Sequence, residues 1–116
     1  SEEYYLSEES AEKINLTRAA GKRIVAVGTT SVRVLESTFH NDKNVAGRGE
    51  TNIFIYPPSK INSIDALITN FHTPLSTLLM LVAAFGGYDT VMNAYREAVD
   101  KEYRFFSYGD AMLLFR

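Results

Sequence analysis

Two segments of the chain run from an apolar stretch through a short polar corner into a helix-forming stretch. They are Val27-Gly28-Thr29-Thr30-Ser31-Val32-Arg33 and Thr69-Asn70-Phe71-His72-Thr73-Pro74-Leu75-Ser76-Thr77. A helix N-terminus presents unpaired amides, and hydroxyls beside it can help to hold a polar or anionic group. Gly28 permits close backbone approach, and Arg33 can add a forked, charged contact. His72 carries an imidazole, which near neutral pH can act as acid, base or donor to a ring nitrogen. Pro74 suits a first helical turn, where its missing donor is not needed, and Ser76 and Thr77 can serve the orphan amides. In a parallel sheet both corners fall at carboxyl ends of strands, on one edge, where ligands bind in this class. The same residues would also serve a capped helix beside a solvated arginine and a structural histidine.

Several other chemistries are poorly supported. The Gly28–Arg33 stretch lacks the glycine spacing of a dinucleotide fingerprint and the Gly-Lys-Ser/Thr of a phosphate loop. No Gly-x-Ser-x-Gly elbow is present for a serine hydrolase. The two histidines, His40 and His72, stand far apart with no carboxylate at ligand spacing, so no metal site is expected, and His40 reads as surface. A third segment, Tyr103 to Met112, is dense in aromatics, a density that suits a core more often than a base-stacking platform. Tyr108-Gly109-Asp110 within it is a turn signal.

The elements that must position these corners are readable from spacing. Tyr4 to Leu6 look like a strand entered midway. Ser7 followed by Glu8 and Glu9 marks a helix start, with acidic residues favourable to the dipole, and Gly21 a helix stop. Ile24 to Val27 is a β-branched run of the kind buried on both faces of a parallel sheet. A second helix follows, with Val32, Leu35 and Phe39 at helical spacing. His40 to Glu50 reads as a polar, mobile loop. Strands are expected over Thr51 to Tyr56, ending at Pro57-Pro58, and over Ile64 to Phe71. The helix after the second corner is apolar nearly all round, hence buried, and ends at Gly86-Gly87. Asp89 is placed to cap a fourth helix, whose apolar positions Val91, Ala94, Tyr95, Ala98 and Val99 are its clearest amphipathic signal. Tyr103 to Phe106 reads as a last strand. Strands alternating with helices argue for a layered α/β architecture with a largely parallel sheet.

The 116 residues suffice for one small core. Hydrophobic content of 46% and charged content of 22% suit a folded domain, not a disordered chain. A formal charge of −2 argues against a free-standing nucleic-acid binder. The absence of cysteine removes disulfides and thiolate chemistry together and fits a reducing cytosol. No apolar run approaches the roughly 20 residues of a membrane span. The first residue is Ser1, with no initiator methionine, which suggests a piece of a longer protein.

Read in series, GTTSVRVLES, LITNFHTPLSTLLMLVAAFGG and YRFFSYGDAM resemble the C-terminal part of the S-adenosylmethionine:tRNA ribosyltransferase-isomerases of queuosine biosynthesis. The similarity runs from Ser7 through Met112; the family usually has a longer side chain at Thr73, often a lysine at Leu75, and a more aromatic stretch over Ser59 to Asn62. The resemblance implies transfer of the ribosyl group of S-adenosylmethionine to 7-aminomethyl-7-deazaguanine at the tRNA wobble position. There it is isomerised to give epoxyqueuosine, with adenine and methionine released. It implies no cofactor, since S-adenosylmethionine is a co-substrate, and a cytoplasmic enzyme with no membrane partner. The implied fold is a layered α/β/α sandwich carrying an inserted β-barrel. Residues 1–116 would be its C-terminal portion, with the barrel and the N-terminal half of the same enzyme supplied from elsewhere. The candidate catalytic residues are then His72 and Asp110. The candidate substrate-binding residues are Gly28, Thr29, Thr30, Ser31, Arg33, Thr69, Asn70, Phe71, Ser76, Thr77, Tyr108 and Gly109. Two other classes fit the corners: a different S-adenosylmethionine- or nucleotide-binding enzyme, and a non-catalytic binding module.

Overall fold

The computed structural model describes residues 2–53, 55, 60–71, 76–103 and 110–116. Strand β1 (Glu2–Leu6) leads into helix α1 (Glu8–Ala19), where Ser7 caps by accepting the Ser10 amide at 3.0 Å. Gly21, at φ +74°, follows the helix end, as its sequence position suggests. Strand β2 (Val25–Val27) then turns at Gly28 into helix α2 (Thr29–Ser37).

The polar stretch after α2 is not an open loop. It forms a short hairpin, β3 (Phe39–His40) with β4 (Lys43–Asn44), turned by Asn41 and Asp42 at positive φ. Strand β5 (Gly47–Thr51) follows, antiparallel to β1. The expected Thr51–Tyr56 strand is thus displaced: pairing ends at Thr51, while Asn52, Ile53 and Ile55 lie outside any strand and Phe54 and Tyr56 lie outside the described residues. The β-branched signal was real, but β1 offers its ladder to the preceding Gly47–Thr51 segment. The reason for the hairpin is side-chain hydrogen bonding that periodicity does not register. Asn44, 2% exposed, exchanges two bonds of 2.9 Å with the Asn15 carboxamide, through its backbone N–H and C=O. Its own amide donates to the Leu35 carbonyl and to Thr38 Oγ1, and its oxygen accepts from Arg18.

Strand β6 (Ala66–Asn70) pairs in parallel with β2, with Val27 opposite Ile68. Helix α3 (Thr77–Gly86) is capped by Ser76, which accepts the Leu79 amide at 3.1 Å. It is buried, as its all-round apolar character requires. Gly87, φ +88°, ends α3 and caps α4 (Tyr88–Asp100); Asp89 lies in the first turn and is not the cap. Only Val91, Tyr95 and Ala98 of the expected stripe on α4 are buried, whereas Ala94 and Val99 are exposed. The last strand is β7 (Ala111–Phe115), antiparallel to β6. Tyr103 is in no strand, and Arg104 to Phe106 lie outside the described residues.

The central sheet has the order β2-β6-β7. Among the described residues it contains one parallel and one antiparallel pairing, so the architecture is mixed α/β rather than largely parallel. Because strand side chains alternate between faces, Ala26 and Leu67 share one face, against Val32 of α2, Leu79, Val82 and Phe85 of α3, and Val91 and Tyr95 of α4. Truncating such fully buried chains costs about 2–5 kcal/mol. The other face is open: Val25, Val27, Leu113 and Phe115 are 47%, 66%, 56% and 54% exposed. The β-branched run of β2 is therefore buried on one face here, not two. No helix among the described residues is long and apolar enough to cross a membrane.

Candidate functional site

The site is built by the β2–β6 register. In-register parallel strands bring their carboxyl ends side by side, and Gly28 donates its amide to the Ile68 carbonyl at 2.8 Å. The first corner therefore stands against the end of β6. A cavity of about 310 Å³ opens there, lined by Val27, Gly28, Thr29, Thr30, Ile68, Thr69 and Asn70. Gly28 has φ +88° and ψ 152°, a conformation open essentially to glycine alone. Among the described residues no side chain caps the start of α2, and amides at such a helix start are groups that a polar ligand can bond. Thr29 and Thr69 are buried, while Thr30 and Asn70 are exposed.

Larger cavities exist. One of about 430 Å³ is bordered by Phe71, Val91, Ala98, Tyr103, Met112 and Leu114, among others, and its carboxylate, Glu97, is paired with Lys101 at 2.5 Å. The bond and charge from Lys101 hold the Glu97 carboxyl below its ordinary 4.5. Another, of about 420 Å³, lies along α4 beside Tyr88, Met92 and Val99. Neither gathers helix-terminal amides with hydroxyls and a carboxamide, which the smaller one does.

The structure brings Gly28, Thr29, Thr30, Thr69 and Asn70 together and separates others from them. Ser31 donates its hydroxyl to the carbonyl of Val27, the last residue of β2, at 2.9 Å, and lines a neighbouring groove. Arg33 points to Glu2, with 2.5 Å between Nη1 and Oε1. Ser76 is occupied as the α3 cap, and Thr77 is exposed on the first turn. Phe71 is 3% exposed and faces the larger apolar cavity. Asp110 is half-buried. Since Ala111 pairs with Asn70, Asp110 stands at the same end of the sheet as the polar cavity. His72, Thr73, Pro74, Tyr108 and Gly109 lie outside the described residues. Sequence reasoning missed Val27 and Ile68 as lining groups; only the pairing register reveals them. Among the described residues no group of three or more His, Asp or Glu could hold a metal ion.

The family model described as queuosine biosynthesis protein matches residues 1–114. A relative from Symbiobacterium thermophilum, named S-adenosylmethionine:tRNA ribosyltransferase-isomerase, is 58% identical over 98% of this chain and 34% of its own length. One of the same name from Ralstonia nicotianae is 59% identical over 100% of this chain and 33% of its own. The crystal structure of an S-adenosylmethionine tRNA ribosyltransferase from Thermotoga maritima superposes with a TM-score of 0.90 at 57% identity, covering 96% of this chain and 39% of that one. The chain thus spans about a third of the length of the curated relatives it matches.

Proposed function

The chain belongs to the queuosine biosynthesis protein family, and on that footing we propose that it supplies the S-adenosylmethionine-binding end of a tRNA ribosyltransferase-isomerase. The observation that carries this reading is the convergence of the Gly28–Thr30 turn and the Thr69–Asn70 strand end on one polar cavity. The family activity would transfer the ribosyl group of S-adenosylmethionine to 7-aminomethyl-7-deazaguanine at the tRNA wobble position. Isomerisation then gives epoxyqueuosine, and adenine and methionine leave.

Each group has a physical task in this reading. The amides at the start of α2, with Thr29 and Thr30, hold polar substrate atoms against a backbone kept clear of side chains by Gly28. Asn70 offers both a donor and acceptors to a purine or ribosyl edge. His72, the residue after Phe71, gives a proton to a ring nitrogen of the departing adenine, because a protonated base leaves a ribosyl carbon more easily. Asp110, at the same sheet end, is the candidate partner in proton handling. S-adenosylmethionine is consumed as a co-substrate, and no cofactor is invoked.

The remaining two thirds of the enzyme would supply the other half of a layered α/β/α domain, the inserted barrel and most of the tRNA surface. The open face carrying Val25, Val27, Leu113 and Phe115 is where a further layer would pack. The enzyme is assigned to the cytoplasm, where its tRNA substrate is found. The deciding experiment incubates the full-length protein with S-adenosylmethionine and tRNA bearing the deazaguanine base. Release of adenine and methionine in step with tRNA modification is expected. Methyl transfer without adenine release would instead show another S-adenosylmethionine enzyme, and neither reaction a binding module.

A further inference from the structure

Phe71 lies directly after Asn70, yet it faces away from the polar cavity into the core. It is 3% exposed. Its ring meets Tyr95 of α4 edge-on, with centroids 5.4 Å apart and planes at 71°. It meets Tyr103, just beyond α4, in the same way at 5.8 Å and 78°. Edge-to-face pairs of this kind have a preferred geometry, so they fix direction as well as burying area. Neither Tyr95 nor Tyr103 lines the polar cavity.

Phe71 is the next residue of the chain after the strand end that lines the cavity. The ladder of β6 with β2 ends at the Val27–Ile68 pair, and beyond it Thr69 and Asn70 pair with Met112 and Ala111 of β7. We propose that Phe71, clamped between Tyr95 and Tyr103, is a positioning residue for the ribosyl-transfer site. It sets where β6 ends, and hence where Thr69 and Asn70 stand opposite Gly28, without itself touching substrate. This rests on the reading of the polar cavity as the S-adenosylmethionine site.

The test uses the full-length enzyme and measures the dissociation constant for S-adenosylmethionine by calorimetry in Phe71→Leu, Tyr95→Leu, the double variant and Val91→Ala. Val91 is buried in the same core but lines no part of the polar cavity and takes no part in the aromatic contacts of Phe71, so its truncation controls for lost stability. Losing about one well-placed hydrogen bond to the ligand corresponds to roughly tenfold in affinity, so Phe71→Leu is expected to weaken binding about tenfold. Tyr95→Leu should weaken it in the same direction, and the double variant should lose no more than Phe71→Leu, because Tyr95→Leu breaks one of the two contacts that Phe71→Leu already removes. Val91→Ala, with comparable or greater loss of thermal stability, should bind like wild type. If Phe71→Leu prevents folding, Tyr95→Leu carries the same comparison from the other element. Binding by Phe71→Leu and Tyr95→Leu equal to wild type would overturn the proposal alone, as would a double variant whose loss is the product of the singles. A wild-type enzyme that fails to bind S-adenosylmethionine would overturn the reading of the cavity as well.

Discussion

The amide of Gly28 donates to the Ile68 carbonyl at 2.8 Å, one residue past the last ladder pair of two parallel strands. That bond lets a helix start and a strand end share a wall, and it requires a backbone conformation that side chains oppose. A Cβ built on Gly28 meets nothing within 4 Å, so the obstacle is φ, not space.

Gly28→Ala should therefore destabilise the fold by about 1–3 kcal/mol through backbone strain alone. Equilibrium urea unfolding checks this. A change within error would mean that the turn accepts an ordinary residue and that glycine is there for the ligand only.

Asn44 is the hub that holds the β3–β4 hairpin to α1 and α2. Asn44→Ala should cost about 2–3 kcal/mol, since it orphans several buried partners at once. Its effect should overlap with that of Arg18→Ala, because Arg18 Nη2 donates to the Asn44 side chain at 2.6 Å. Strictly additive losses in a double-mutant cycle would show two independent clusters.

The open sheet face makes a separate prediction. Val27 and Leu113 flank Ile68 in register, at 66% and 56% exposure. The isolated chain should self-associate through this patch, and Val27→Lys with Leu113→Lys should keep it monomeric in light scattering. The loss of stability should stay within about 0.5 kcal/mol, as for other exposed sites. In the full-length enzyme the same pair should be strongly destabilising if a further layer covers the face.

His72→Ala in the full-length enzyme should slow adenine release by about 10²-fold or more, the usual contribution of a positioned general acid, with thermal stability retained. Undiminished turnover would reduce His72 to a structural residue.

The isolated chain should not bind tRNA tightly. Its net charge is −2, and phosphate neutralisation dominates such affinity. Several of its arginines are already occupied: Arg18 donates to Asn44, Arg33 pairs with Glu2, Arg116 donates to the Ile61 carbonyl, and Arg48 stacks over Tyr5 at 4.8 Å. A gel-shift titration at about 0.15 M salt should show binding only when the rest of the enzyme is present. Tight, salt-sensitive binding by this chain alone would contradict this.

Local chemistry made part of this molecule legible in its sequence. Ser7 announces a helix start because a hydroxyl beside an orphan amide serves it wherever the helix goes next. Ser76 serves such an amide too, but as the cap of a helix that begins at Thr77 and not from within a first turn around Pro74. The run Leu78 to Phe85 is apolar nearly all round, which only a buried helix tolerates, and the amphipathic period of α4 names Val91, Tyr95 and Ala98 as core. The three long motifs in series also identify the family. What the sequence could not determine is what depends on neighbours distant along the chain. Whether Gly47–Thr51 or the more β-branched stretch after it pairs with β1 is settled by a ladder across more than 40 residues. Whether the Ile24–Val27 run is covered on both faces depends on what lies above it, and Arg33 and Ser31 are diverted by partners that no periodicity predicts. The two corners could be seen as alike from their residues. That they share one wall is decided only by the parallel register of Val27 with Ile68.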